Sequence, residues 1–384
     1  MIVDAHEPSA AAVAIATLAA FDGMTSARLR ALRSGRTASE ALAIAAGHEA
    51  PPPALRSEFA RYPKLRARWL DSARRVTCEA MRERLEVARV AVVLPDHGEY
   101  PASLVHDPRR PEVLFVRGRL GALDGRRVGI VGTRNPTQRG VHTAKRFGSE
   151  LAEAGVCVVS GLALGIDGAV HRGALEADGA APVAVVASGL DDPYPRRHAG
   201  LWAAVAERGA VISEWPPGTR PEPFRFPQRN RILAALSEVV VVVESRERGG
   251  SLITAREAAE RGIDVFAVPG SIDQRASRGT NALLEDGAAP VVDVGTLLTA
   301  LDLDHRRSGR RAIDLRPTPV GIEHSVHARC VNAPQTVESI AVQLSLDLGR
   351  AAMALARLER AGWLAESGGW FEALERPNRP QGAR

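Results

Sequence analysis

Short segments that are almost continuously apolar alternate with amphipathic segments between about Arg126 and Leu301. The apolar segments are RVGIVG, VCVVSG, PVAVVASG, AVISEW, EVVVVVES and DVFAVPG, and the amphipathic ones include HTAKRFGSELAEAG and SLITAREAAERG. Strands that are buried on both faces are apolar throughout, whereas a surface helix is apolar on one face. The repeated strand–helix units therefore predict an α/β fold with a parallel sheet and helices on both faces. EVLFVRG, residues 112–118, predicts an edge strand before the first unit.

Different patterns flank this region and predict three further segments. Residues 1–88 are rich in Ala and Leu and predict a helical domain; FDGMTSARLRAL suits a helix-hairpin-helix turn at Gly23, but a plain helical domain explains it as well. Residues 302–334 contain RRSGRR and RPTPVG and predict a linker. Residues 335–376 predict two helices and a hairpin, as in a winged helix. The α/β domain between them spans residues 89–301.

Composition narrows the class of protein only a little. The 384 residues carry a net charge of +5, and Lys64 and Lys145 are the only lysines among 50 basic residues. Arginine bias reflects GC-rich codons as readily as a polyanionic partner. Three scattered cysteines predict a reducing compartment without disulfides. MIVDAHEPS lacks the order of a signal peptide, and no apolar run reaches the ~18 residues of a membrane span, so we expect a soluble, cytoplasmic protein without membrane contact.

Glycine, arginine and hydroxyl residues collect where the predicted strands end. In an open parallel sheet, ligands bind in the crevice beyond the carboxyl ends of the strands, where glycines let backbone N–H groups approach an anion. One glycine after a strand is ordinarily a turn residue, but several such loops with arginines predict an anion-binding crevice. The loops IVGTRNP, VSGLALGID, ASGLDDPYPRRH, RERGGSLITAREAA and VPGSID contribute Gly132, Thr133, Arg134, Ser160, Gly161, Gly165, Arg196, Arg197, Gly249, Gly250, Ser251, Thr254, Gly270 and Ser271.

FPQRNRILAALSE places cations where a helix is predicted to start. The N-terminus of a helix carries a partial positive charge, so arginines there indicate a nearby anion. Phe224 and Phe226 beside these arginines suit a single strand, whose bases stack while its phosphates pair. An equally good interpretation is that both rings belong to the core and that the arginines pair with acids such as Glu222. Arg229 and Arg231 cannot point the same way at this spacing, so one is expected to bind the anion and the other to brace the loop.

Cofactor motifs and a catalytic constellation are missing from the sequence. G-x-G-x-x-G and Gly-Lys-Ser/Thr patterns do not occur after the strands, so we expect no dinucleotide or Walker-type ATP cofactor. Asp167 and His171 are spaced as an orienting pair, but Asp167 also suits a helix N-cap. Glu214 and Glu244 end strands without an assigned nucleophile. His324, His327 and Cys330 have metal-like spacing but lack a fourth ligand, so we expect no metal.

The chain strongly resembles the DNA processing protein A family, also called DprA or Smf. The similarity runs from about residue 100 to residue 289, through VGIVGTRNPTQRG, VSGLALGIDGAVHRGAL, SGLDDPYP, FRFPQRNRILAALS, GGSLITAREAAERG and VFAVPGSID. It implies an extended Rossmann-like domain that binds single-stranded DNA without strong sequence preference. It also implies a homodimer that protects incoming DNA during natural transformation and loads RecA recombinase. The clustered arginines and the missing catalytic constellation indicate that the protein is not an enzyme. A variable helical domain in front and a winged helix behind fit the same family.

The resemblance also implies which residues contact DNA. The DNA pocket would contain Arg134, Arg196, Arg229, Asn230 and Arg231, with Phe226 stacking on a base. The strand-end loops would add Gly132, Thr133, Ser160, Gly161, Gly250 and Ser251, of which Gly161, Gly250 and Ser251 contact phosphate. Val170 and Gly249 depart from the family pattern, and Gly249 removes a hydroxyl donor from the phosphate loop.

Two other hypotheses remain open. GGSLITAREAAE is similar to the phosphate loop of LOG-type nucleoside-phosphate hydrolases, in which case Glu257 would be the catalytic acid of a nucleotide-processing enzyme. Alternatively, the protein is a regulator whose winged helix reads duplex DNA through Arg350, Arg357 and Arg360, although acidic neighbours make packing or protein contact as good an explanation.

Overall fold

A mixed sheet of nine strands organises the larger part of the chain. The computed structural model describes residues 8–301, 319–361, 363–367 and 369–373. The strands are β1 (Ala91–Val93), β2 (Leu114–Gly118), β3 (Arg127–Val131), β4 (Cys157–Ser160), β5 (Val183–Val185), β6 (Ala210–Ser213), β7 (Val239–Val242), β8 (Asp264–Ala267) and β9 (Ala289–Pro290). Their order across the sheet is β1-β2-β6-β5-β4-β3-β7-β8-β9.

The α/β fold predicted from the sequence is confirmed. Strands β3 to β8 coincide with the six apolar segments and pair in parallel, while β2 is antiparallel to both β1 and β6. The prediction that residues 112–118 form an edge strand was wrong, because β1 lies outside β2. The chain moves from β3 to β4 on one side and returns to β7 on the other side of β3. The strand order therefore reverses next to β3, which is where open α/β sheets bind ligands.

Helices cover both faces of the sheet. Those of the sheet region are α7 (Ala102–Val105), α8 (Gln138–Glu153), α9 (Ile166–Glu176), α10 (Ala199–Arg208), α11 (Arg225–Leu236), α12 (Gly250–Ala259), α13 (Arg278–Glu285) and α14 (Val294–Ala300). Side chains alternate along β3, so that Ile130 packs with α8, α9 and α14, while Val131 packs with α11 and α12. Helices α11 and α12 therefore stand side by side on one face and bring their first turns towards the carboxyl ends of β3 and β7.

Six helices precede the sheet and share a core with it. They are α1 (Ala10–Ala19), α2 (Ser26–Arg33), α3 (Ala38–Ala45), α4 (Pro53–Arg61), α5 (Pro63–Arg75) and α6 (Cys78–Ala88). Trp69 of α5 and Leu85 of α6 belong to the same buried cluster as Phe115 of β2. Arg30 and Arg33 of α2 also form ion pairs with Glu112, whose side chain is almost fully buried. These helices thus pack on the sheet within a single compact unit, Met1–Asp304.

The second compact unit, His305–Arg384, contains three described helices and a hairpin. Its elements are α15 (Ile322–Asn332), α16 (Val337–Gln343), α17 (Leu348–Arg360), β10 (Leu364–Ser367) and β11 (Trp370–Ala373). Helix α15 lies in the segment for which the sequence predicts a linker; it buries Val326 and Cys330 one turn apart against α17. The helices and hairpin follow the predicted order, and the winged-helix assignment stays a prediction.

The three residues with metal-like spacing, His324, His327 and Cys330, lie on α15. The His327 ring packs edge-on against Trp363, with 4.9 Å between ring centroids, and Cys330 is buried. Burial raises the pKa of the Cys330 thiol to about 11, which disfavours the thiolate that would bind a metal. Across the described ranges, no group of three or more His, Cys, Asp or Glu side chains could hold a metal ion. Within those same ranges, every helix is too short or too polar to cross a bilayer.

Helices α8 and α9 approach so closely that glycine is required where they meet. A Cβ atom at Gly173 of α9 would overlap the backbone oxygen of Lys145 in α8. We predict that Gly173→Ala lowers the free energy of unfolding by about 1–3 kcal/mol, because the helices must separate. Gly200→Ala in α10 is the control, since nothing lies within 4 Å of a Cβ atom there. Urea unfolding that leaves Gly173→Ala as stable as Gly200→Ala would contradict this packing.

His171 gives the fold a defined pH dependence. Its ring is fully buried in α9, and burial lowers its pKa from 6.5 to about 3. The unfolded chain therefore takes up a proton that the folded chain does not, and stability falls as the pH falls from about 6.5 towards 3. Between pH 7.5 and pH 5, protonation linked to this residue should lower the free energy of unfolding by about 2 kcal/mol. Urea unfolding should show a shallower pH dependence for His171→Leu, whereas His142→Leu, at an exposed position, should keep the wild-type slope.

Candidate nucleic-acid interface

A crevice of about 240 Å³ opens at the carboxyl ends of β3 and β7. We call this cavity the crevice. The loop after β3, the first turns of α9, α11 and α12, and the loop before α12 form its walls. Its lining residues are Val131, Gly132, Thr133, Arg134, Ala163, Asp167, Phe226, Pro227, Arg229, Asn230, Leu233, Arg246, Arg248, Gly249, Gly250, Ser251, Ile253 and Thr254. The structure thus brings together eight of the residues predicted to contact DNA: Gly132, Thr133, Arg134, Phe226, Arg229, Asn230, Gly250 and Ser251.

Helix α12 directs its N-terminus into the crevice. Gly249 is its N-cap and offers no side chain to the first backbone N–H groups, which retain a partial positive charge. Asn230 of α11 donates from Nδ2 to the Gly250 carbonyl oxygen at 3.3 Å, and Ser251 Oγ lies 2.9 Å from Ser245 Oγ. These hydrogen bonds fix the first turn of α12, so the crevice contains a prearranged set of donors for an anion.

Exposed arginines surround this helix end. The guanidinium groups of Arg246 and Arg248 are exposed and make no hydrogen bond or ion pair with the part of the chain that the structure describes. These two residues are not among the predicted site residues, although RERGGS places them directly before the glycine-rich turn. Arg134 lies over the Phe226 ring, with 4.7 Å from its Cζ atom to the ring centroid. The crevice therefore presents three cations that can move towards a phosphate.

A second cavity adjoins the crevice and is more apolar. We call it the apolar slot; it is lined by Arg134, Gly161, Ala163, Leu164, Val186, Ala187, Ser188, Tyr194, Pro195, Pro221 and Phe226. The ring centroids of Tyr194 and Phe226 are 6.0 Å apart. Arg134 and Phe226 line both cavities, so an anion in the crevice and a flat ring in the apolar slot would touch the same two side chains.

Arg229 forms the floor of the crevice rather than its rim. Its side chain is almost fully buried, donates from Nη1 to the Val185 carbonyl oxygen and interacts electrostatically with Asp167. Burial raises the pKa of Asp167 and lowers that of Arg229 to about 10, while the attraction between the two charges opposes both shifts. A Cβ atom at Gly161 would overlap the Arg229 guanidinium. Glycine is therefore needed at position 161 to make room for this buried charge pair.

The prediction that Asp167 is a helix N-cap was wrong. Helix α9 begins at Ile166 with Gly165 as its N-cap, at φ +83°. Asp167 is instead the second helical residue, and its carboxylate lies under the crevice beside Arg229. The alternative of an orienting pair with His171 has no hydrogen bond to support it among the described residues.

Arg231 points away from the crevice. Its Nη2 atom lies 2.6 and 2.7 Å from the two carboxylate oxygens of Glu214, and Ser26 of α2 also contacts Glu214. Helix α11 begins at Arg225, several residues earlier than predicted, so both arginines lie in its second turn. Two residues along a helix correspond to about 200° of rotation. This rotation sends Arg229 to the crevice and Arg231 to the N-terminal helices.

Two other residues predicted to touch DNA lie outside both cavities. Ser160 is fully buried and donates its hydroxyl to the Ile130 carbonyl oxygen at 2.6 Å. Arg196 is exposed in the 3₁₀ helix Arg196–His198, after Tyr194 and Pro195 of the apolar slot, but lines neither cavity. The structure thus gives Ser160 a role in joining β4 to β3 and leaves Arg196 at the margin of the site.

Candidate acids for catalysis are engaged elsewhere. Glu244 accepts from the backbone N and Oγ1 of Thr137 at 2.9 and 2.5 Å and so holds the start of α8. Glu257 of α12 pairs with Arg261, at 2.7 Å, and with Arg109. Neither carboxylate is among the residues that line the crevice or the apolar slot.

Known proteins share this architecture. DNA processing protein DprA of Bacillus subtilis is 43% identical over 196 residues, which are 50% of this chain and 65% of the relative. The X-ray structure of DprA from Streptococcus pneumoniae is similar at 28% identity with a TM-score of 0.62, covering 77% of this chain and 98% of that one. A structure of DNA processing protein A from Helicobacter pylori, described for its single-stranded DNA binding mode, gives 28% identity and a TM-score of 0.51 over 56% of this chain and 97% of that one.

A family model covers the part of the chain that builds the crevice. The model described as DNA recombination-mediator protein A matches residues 91–302, more than half of the chain. These residues begin at β1 and include every strand of the large sheet and every residue that lines the crevice. The chain belongs to the DNA recombination-mediator protein A family, also called DprA or Smf.

Proposed function

We propose that the protein binds single-stranded DNA in the crevice and acts there as a recombination mediator without catalysing a reaction. The observation that carries this proposal is the arrangement of Arg134, Arg246 and Arg248 around the N-terminus of α12. Phosphate groups accept from such donors whatever the base sequence. The relative from Helicobacter pylori, whose structure is described with single-stranded DNA binding, supports the same ligand.

Bases would stack beside the phosphate site. The Phe226 ring contacts Arg134, lies 6.0 Å from the Tyr194 ring centroid to centroid, and lines the apolar slot, so a base can lie against an aromatic ring while its phosphate lies in the crevice. Stacking on a ring is tolerant of sequence because every base has a π-face. Single strands are favoured over duplexes, since paired bases are not free to enter the apolar slot.

The lining of the two cavities supports a binding function over a catalytic one. Asp167 is the acidic residue of the crevice, and it lies beside Arg229 on the floor. Glu257, the candidate acid of the nucleotide-processing alternative, has two arginine partners away from the crevice. A general acid or base must reach the reacting atom, and Glu257 does not line either cavity.

The family resemblance suggests a biological role, which is part of the same proposal. The chain would act in the cytoplasm as a homodimer, protect single strands that enter during natural transformation, and load RecA recombinase onto them. No cofactor is needed, since binding energy alone holds the strand in place.

Removing two of the free arginines should weaken binding of single-stranded DNA. We predict that Arg134→Ala with Arg248→Ala lowers the affinity for a fluorescent oligo(dT) at least about tenfold at 0.1 M salt, because each charge-assisted hydrogen bond to phosphate contributes about 1.5–3 kcal/mol. The plot of log affinity against log salt should become shallower by about 0.7 for each phosphate that the variant no longer neutralises. Fluorescence anisotropy at several salt concentrations measures both effects.

A charge-matched control separates the crevice from the general basic surface. Arg66→Ala with Arg68→Ala removes two exposed arginines from α5 and should keep the wild-type affinity and salt slope. Equal reductions of affinity in both double variants would mean that DNA binds through net charge and not through the crevice.

RecA loading can be tested on strands that are already coated. We predict that the wild-type protein shortens the lag of RecA filament formation on single-stranded DNA covered with a single-strand-binding protein, and that the Arg134/Arg248 double variant does not. RecA ATP hydrolysis reports filament formation. A lag that the wild-type protein leaves unchanged, while it still binds the DNA, would remove the mediator role and leave DNA binding intact.

A further inference from the structure

A buried hydroxyl in the crevice wall lacks a partner. Thr254 of α12 is 1% exposed and lines the crevice, yet its Oγ1 makes no hydrogen bond to any residue that the structure describes. The neighbouring polar side chains do have hydrogen-bond partners: Ser251 Oγ contacts Ser245 Oγ, and Asn230 Nδ2 donates to the Gly250 carbonyl oxygen. Buried hydroxyl groups are nearly always hydrogen-bonded, so an unpaired one that faces a cavity indicates a ligand atom.

A second unpaired donor lies on the floor of the same cavity. Arg229 is 4% exposed, and its Nε has no partner within the described ranges, although its Nη1 donates to Val185. The N-terminus of α12 adds backbone N–H groups from above. A hydroxyl, a guanidinium and a helix N-terminus thus converge on one volume, and an anion with several oxygen atoms can accept from all three.

Charge and size restrict this anion. Four arginines and one aspartate line the crevice, which favours a doubly charged group over a neutral one. The crevice volume of about 240 Å³ accommodates one phosphate, and the adjoining apolar slot, at about 40 Å³, admits only the edge of a base, whose face would lie against Phe226. Because the donors line a single cavity, one nucleotide can contact all of them without the neighbouring nucleotides of a strand.

We propose that the crevice and the apolar slot form a complete site for a free nucleoside 5′-monophosphate, with Thr254 Oγ1 donating to the phosphate and the base lying against Phe226. A free nucleotide then competes with single-stranded DNA for the same site. The competition rests on the proposed function, whereas nucleotide binding itself does not. Nucleotides released from degraded strands would thereby reduce the occupancy of the protein on DNA.

The test displaces a fluorescent oligo(dT) from the full chain with thymidine 5′-monophosphate, thymidine or inorganic phosphate. We expect displacement by the monophosphate, none by thymidine, and weaker displacement by inorganic phosphate, which lacks the base. Thr254→Val should lower the affinity for the monophosphate about tenfold, or about 1.4 kcal/mol, because one charge-assisted hydrogen bond is lost. Thr254→Ser, which keeps the hydroxyl, should bind as the wild type does. Thr299→Val on α14 is the matched control, since its hydroxyl bonds to Gly295 outside the crevice.

Each outcome decides a separate point. If the oligonucleotide binds but the monophosphate never displaces it, the proposed function stands and the nucleotide site is overturned. If inorganic phosphate displaces as well as the monophosphate, the base makes no contribution and the nucleotide class is wrong. If Thr254→Val and Thr254→Ser behave alike, the hydroxyl does not touch the phosphate. If the oligonucleotide does not bind at all, titration calorimetry with the monophosphate still tests the site, and failure of the proposed function is seen separately.

Discussion

The buried charge pair of Asp167 and Arg229 is the interaction on which the site depends. Two charged side chains are tolerated in the interior only when their opposite charges compensate each other and nearby polar groups form hydrogen bonds with them. Here the compensation comes from the carboxyl ends of several strands: Arg229 donates to Val185 at the end of β5, and Gly161 after β4 leaves room for both groups. Because the two charged groups lie between α9 and α11 beneath these loops, they form the floor of the crevice.

The loop above this pair adopts a conformation that few residues accept. Leu162 lies at φ +54°, and its carbonyl oxygen is 2.9 Å from Nδ1 of the buried His198. Gly165 follows at φ +83° and starts α9 as its N-cap. A left-handed backbone costs energy in a leucine, so the surrounding structure must hold it. The loop is therefore fixed where it borders the crevice, and the adaptable parts of the crevice are the exposed arginines of its rim.

The sequence predicted the fold well, because strands buried on both faces are unmistakably apolar. It missed β1 and β9, which have three and two residues and therefore no pattern to detect, and so it placed β2 at the edge. It predicted a linker over α15, because only Val326 and Cys330 of that helix are buried. The rule that ligands bind beyond strand ends predicted a crevice at this edge of the sheet, where the structure has a cavity, since the rule depends on topology and not on individual side chains.

The roles of individual arginines could not be predicted, because burial depends on partners that are distant in sequence. Arg229 and Arg231 look equivalent in FPQRNR, yet one faces Asp167 and the other pairs with Glu214. Arg246 and Arg248 differ from Arg229 and Arg231 because their side chains have no hydrogen-bond or ion-pair partner within the described ranges. An arginine already held by a carboxylate gains little from a phosphate, whereas a free one gains the full charge-assisted bond. If the proposed function holds, the exposed arginines that the fold leaves unpaired would contribute most of the affinity for the strand, whereas Arg231 is already held by Glu214.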